Sequence, residues 1–155
     1  MSSETTYIAV WILLWALLLV VSAYAYLRGG RPERSGAIVV FVVTLASAIG
    51  DFAMPDNAFL IARLIAEGVA AVGFLLIAIR YGSVWIGGVM LLQAAQFSLH
   101  AIYFVTARSH DTPYVIVNNL NFLGILACLT AGTLAASRRR RRAEAGVNSA
   151  PPQAV

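Results

Sequence analysis

Four otherwise apolar stretches of this chain carry polar side chains at helical spacing. Thr44, Ser47 and Asp51 form one set, Arg63 and Glu67 a second, Gln93, Gln96, His100 and Tyr103 a third, and Asn118 and Asn121 a fourth. Residues three or four apart share one face of a helix, so each set is a polar stripe on an apolar rod. The types suit proton exchange or the capture of a small polar solute. Glu67, Asp51 and His100 can gain and lose a proton, Arg63 sets the charge balance, and the amides of Gln93, Gln96, Asn118 and Asn121 can orient a ligand. An ionisable side chain at the centre of a membrane helix costs about 2.5–3.5 kcal/mol on insertion scales. These groups are therefore expected to turn inward, with Arg63 pairing with Glu67 one turn away or with Asp51. The bland alternative is interhelical glue, since Asn, Gln, Ser and Thr bonds between membrane helices are ordinary packing devices worth about 0.6 kcal/mol each.

Other chemistries are excluded by pattern. HExxH, histidine pairs at ligand spacing and cysteine clusters are absent, which argues against zinc. CxxCH, the P-loop, the dinucleotide fingerprint and the GxSxG turn are missing as well. The expectation is a chain with no metal and no cofactor. Lone Cys128 sits among apolar neighbours and reads as a small core residue. An enzyme acting on lipid through Glu67 and His100 ranks last, because no nucleophile accompanies them.

The elements that must position these residues follow from hydropathy. The chain is 60% hydrophobic and only 12% charged, with a mean hydropathy of +0.80. Charge is thus at about half the usual share for a soluble domain. Five apolar runs, 7–27, 36–54, 58–79, 84–106 and 114–136, each approach the roughly 20 residues needed to cross a bilayer. Gly29-Gly30, Pro32, Pro55, Gly82 and Pro113 punctuate them. The expected fold is an all-α integral membrane protein, an up-down bundle of five transmembrane helices with residues 1–137 as its one domain. Ala23-Tyr24-Ala25 resembles a signal-peptide cleavage site. The preceding segment carries Glu4 and no positive charge, however, so the first run is read as a retained helix.

Charge orients the bundle. With five spans, Arg28, Arg31, Arg34, Arg80 and the block Arg138 to Arg142 fall on one side, and Glu4, Asp56 and Asp111 on the other with Arg108 as the exception. The positive-inside rule then places the N-terminus outside and the C-terminus in the cytoplasm. Topology also gives depth. The four stripes gather in the outer half of the bilayer, with Glu67 about 10–15 Å below the outer boundary. The inner half appears featureless in sequence. Tyr7 and Trp11 suit the outer interface, with Trp15 packed deeper.

The net charge of +4 comes from arginine alone, as there is no lysine. Arg138, Arg139, Arg140, Arg141 and Arg142 directly follow an apolar run, which favours a topology anchor that attracts anionic lipid over a nucleic-acid site. Residues 138–155 are expected to be a disordered cytoplasmic tail. The residue bias points to a bacterial inner-membrane protein. Length and span count resemble those of the five-helix tryptophan-rich sensory, or translocator, family, but the proline- and tryptophan-rich signature of that family is absent.

Two functions are expected to compete. In the first, an outward-facing intramembrane site at Asp51, Arg63, Glu67, Gln93, Gln96, His100, Asn118 and Asn121 binds or conducts a small polar or amphipathic ligand, or protons. In the second, the chain is a structural or assembly subunit, holin-like or part of a larger membrane complex, and its polar layer is glue. A homo-oligomer fits either.

Overall fold

Glycine and proline set where each apolar run turns back. The computed structural model describes residues 3–53, 56–106, 108 and 111–148; the side chains of 3, 4, 6, 7, 51–53, 56–60 and 146–148 lie outside that description. Five helices follow one another: α1 (Ser3–Arg28), α2 (Arg31–Ala53), α3 (Asp56–Tyr81), α4 (Val84–Val105) and α5 (Thr112–Asn148). Gly29 ends α1 by donating its N–H to the Ala25 carbonyl at 2.9 Å. Gly82 ends α3 in the left-handed region (φ +58°), where its N–H reaches the Ala78 carbonyl at 2.9 Å. Glycine adopts that conformation without a side-chain penalty. Such short links force each helix to run back along its predecessor.

The helices close into a ring. Each packs on its sequence neighbours, α5 returns to α1, and α2 touches α5 across the middle. Leu18, Phe74, Ile86, Val89, Leu126 and Leu129 fill the interior. Outside, Leu13, Val20, Ile79, Leu91 and Leu120 are each more than 60% exposed. All five helices are long and apolar enough to cross a membrane. This is compatible with a multi-pass membrane protein, since an apolar exterior of this extent suits lipid as its solvent.

One expectation needs correction. The chain does not become irregular at residue 138. Helix α5 runs on through the arginine block to Asn148, 37 residues in all. Arginine, alanine and glutamate are strong helix formers. The end of the expected tail, 149–155 with Pro151 and Pro152, lies outside the described residues.

The end of the bundle that carries the α1–α2 turn has a polar contact of its own. Glu33, in the first turn of α2, is only 4% exposed. Its Oε1 accepts the Trp85 indole N–H at 3.0 Å and its Oε2 accepts the Gly30 N–H at 2.8 Å. Arg140 donates to the Gly29 carbonyl at 3.1 Å and Ser137 to that of Arg28 at 3.2 Å, so α5 is tied to the same turn.

Candidate functional site

The polar stripes of α3, α4 and α5 meet inside the ring. On α4, Gln93, Gln96, His100 and Tyr103 recur every three or four residues, and all four are buried. Glu67 of α3 lies opposite Gln93. The Gln93 amide nitrogen donates to the Glu67 carboxylate through Oε2 and, at 3.2 Å, to the Glu67 carbonyl. The other carboxylate oxygen is 3.6 Å from His100 Nδ1. Only 12% of the Glu67 side chain and 4% of the His100 side chain is exposed. A carboxylate and an imidazole so placed can form a charged pair or share one proton.

The network continues toward α5. Gln96 Nε2 donates to Asn118 Oδ1 at 2.6 Å and lies 3.5 Å from His100 Nε2. His100 accepts from Gln96 when its proton sits on Nδ1, facing Glu67, so one tautomer serves both neighbours. Asn118 Nδ2 reaches Asn119 Oδ1 at 3.4 Å. Gln96 Oε1 is buried and has no hydrogen-bond partner among the described residues.

A second group lies above His100. The Tyr114 ring sits 5.6 Å from the imidazole and 4.8 Å from the Tyr103 ring. Tyr103 donates its hydroxyl proton to Asp111 Oδ1 at 2.5 Å, and the Tyr114 N–H reaches the same oxygen at 3.1 Å. Arg108 pairs with Asp111 Oδ2 at 3.0 Å while its guanidinium stands over the Tyr103 ring. The Tyr103 hydroxyl, the Tyr114 N–H and Arg108 together hold the Asp111 carboxyl below the usual aspartate range.

A cavity of about 60 Å³ opens beside Glu67, Gln93 and Gln96, with Thr44, Phe74 and Phe122 on its other walls. It has room for one or two waters, far below the roughly 300–1,000 Å³ of a site for a drug-sized molecule. Beneath it the interior is closed by Phe74, Ile86, Val89 and Leu126.

The expected site is therefore divided. Glu67, Gln93, Gln96, His100 and Asn118 come together. Arg63, expected in the same pocket, lines a separate recess between α2 and α3 with Ser47. The four-residue step from Arg63 to Glu67 turns about 40° around the helix, enough to aim one toward α2 and the other toward α4. Close partners of Glu67 are thus Gln93 and His100. Asn121 is buried on α5, yet its Nδ2 has no hydrogen-bond partner among the described residues. The Asp51 and Tyr7 side chains lie outside the described residues. Trp11 and Trp15 stack at 5.8 Å, Trp11 exposed and Trp15 against the core.

Sequence reasoning missed Tyr114 and the Glu33–Trp85 pair. A signal existed for the first, because Tyr114, Asn118 and Asn121 continue one stripe at spacings of four and three. None existed for the second, whose members are 52 residues apart. Comparison with known proteins gives no family: no family model matches the chain, and no curated protein or solved structure is similar to it.

Proposed function

We propose that this chain is a multi-pass protein of a bacterial inner membrane, with its N-terminus outside, that takes up protons from the outer side at Glu67 and His100. The observation that carries the reading is the buried carboxylate–imidazole contact at 3.6 Å, joined through amides to Asn118. An ionisable pair inside a membrane bundle is a functional site by default. The size of the adjoining cavity favours protons or a water-sized polar solute over an amphipathic ligand. The orientation is supported by the ends of the helices. Arg28, Arg31, Arg34, Arg80 and Arg138 to Arg142 gather at one end of the bundle, and Asp111 lies at the other.

The apolar plug beneath the cavity favours uptake from one side over steady conduction. The test is a step in external pH applied to proteoliposomes, with a dye reporting protons taken up. The parent is expected to show uptake without sustained flux, and Glu67→Gln and His100→Ala to lose it. Parent-like uptake in both variants overturns the reading.

The assembly-subunit reading draws support from the Gln96–Asn118 bond, a direct α4–α5 tie of the kind that glues membrane helices. It requires a stable complex with a partner protein that Asn118→Leu disperses while proton uptake is unchanged.

A further inference from the structure

Arg63 lines a recess separate from the cavity beside Glu67. Between α2 and α3 runs a groove of about 290 Å³, lined by Val42, Ala46 and Gly50 on one side and by Ala62, Arg63 and Ala66 on the other. Its volume is about twice that of a cavity able to hold benzene. Small side chains make the floor, and a Cβ built on Gly50 would meet nothing within 4 Å. Val42, Ile65 and Val69 at its edges are 55%, 62% and 60% exposed, so the groove faces away from the bundle interior. Arg63 supplies the one cation in a lining that is apolar but for Ser47.

We propose that this groove holds an acyl chain of an anionic phospholipid of the outer leaflet, with the phosphate bound by Arg63. Arg63 lies seven residues into α3, about 10 Å below its start. Its long side chain spans the remaining depth by reaching up to the headgroup while its methylenes stay among apolar groups. The guanidinium carries five N–H donors in a planar fork, enough to bind a phosphate oxygen pair beside an intramolecular partner. A second copy of this chain fits less well, because it would have to present an acid at that depth on its lipid-facing side. Among the described side chains none does: Glu33 and Glu67 are turned inward, Asp111 lies outside the spans, and Glu144 lies beyond the arginine block.

The inference rests on membrane insertion but not on proton uptake, and alkaline extraction of the same membranes reports insertion separately. The experiment uses the full chain carrying Arg138–Arg142→Gln, which removes the largest block of competing cations, in nanodiscs doped with phosphatidylglycerol or phosphatidylcholine bearing a photoreactive acyl chain. Phosphatidylglycerol is expected to label residues 42–50 and 62–69 several times more strongly than phosphatidylcholine. Arg63→Gln should cut that preference by about fivefold, the worth of one arginine at an anionic surface. Gly50→Leu, at a position where an added Cβ meets nothing within 4 Å, should abolish labelling by both lipids. Equal labelling by the two lipids in the parent, or labelling that Gly50→Leu leaves intact, overturns the proposal. So does a shift of the parent from dimer to monomer in Gly50→Leu, which would assign the groove to a second copy.

Discussion

At the scale of single residues, the Glu67 carboxylate is the costliest group to leave without partners, and Gln93 gives it the closest one. Gln93→Leu should therefore lower stability more than Glu67→Gln does. The first strands a buried carboxylate, whereas the second keeps an oxygen for the Gln93 amide to donate to. A stranded buried partner costs about 1–3 kcal/mol, and more for a charged group. Thermal unfolding in detergent should rank the two variants in that order, and the reverse order would mean that His100, not Gln93, carries the carboxylate. Asp111 obeys a different rule. Its folded pKa is lowered by Tyr103, Tyr114 and Arg108, so the stability it contributes is fully present above the ordinary aspartate value of about 4. It is lost as pH falls through the lowered folded value. The gap in melting temperature between the parent and Asp111→Asn should stay constant from neutral pH to about 5 and close in stronger acid. A gap that already closes above about pH 5 would mean that the Asp111 carboxyl is not held below the usual aspartate range.

At the scale of elements, the end of the bundle that carries the α1–α2 turn is fitted around one indole. A Cβ on Gly132 of α5 would stand 2.5 Å from Trp85 Cδ1, and one on Gly36 of α2 would stand 2.7 Å from Trp85 Cη2. The ring fills a slot between two helices that only glycine leaves open, and Glu33 fixes it there through the indole N–H. Gly132→Ala should destabilise by about 1–3 kcal/mol through overpacking. Gly87→Ala, whose added Cβ meets nothing within 4 Å, should instead be neutral or stabilise α4 by up to about 1 kcal/mol. Melting curves of the two alanine variants check the contrast directly. These same elements mark what was legible beforehand. The five helices were readable because run length and glycine or proline punctuation are local properties of the chain. The Gln93, Gln96 and His100 stripe was readable because a period of three to four is local too. Glu33 was not, since within an arginine-rich loop an acid reads as solvated, and only the approach of α4 buries it. The direction of Arg63 was not either: helix rotation decides whether a residue meets α2 or α4, and packing sets rotation.

At the scale of the whole molecule, charge and length divide the two ends. Helix α5 has 37 residues, about 55 Å at 1.5 Å per residue, against roughly 30 Å of hydrocarbon. In the proposed membrane orientation its last turns leave the bilayer and carry Arg138 to Arg142 out with them. These arginines are exposed for the most part, and Arg140 and Ser137 bond back to the α1–α2 turn. The extension is thus a basic arm tied to the bundle, and in the proposed orientation its charges meet the membrane surface together with Arg28, Arg31, Arg34 and Arg80. At about 1 kcal/mol per arginine near an anionic surface, changing all five of Arg138–Arg142 to glutamine should weaken association with anionic vesicles strongly. The four remaining arginines still satisfy the positive-inside rule, so orientation should survive. Single cysteines on a Cys128→Ala background test both statements. Thr5→Cys, near the exposed start of α1, should react with an impermeant maleimide in intact cells. Ala143→Cys should react only after the cells are opened, with or without the five substitutions. Labelling of Ala143→Cys in intact cells would invert the bundle and turn the Glu67–His100 site toward the cytoplasm.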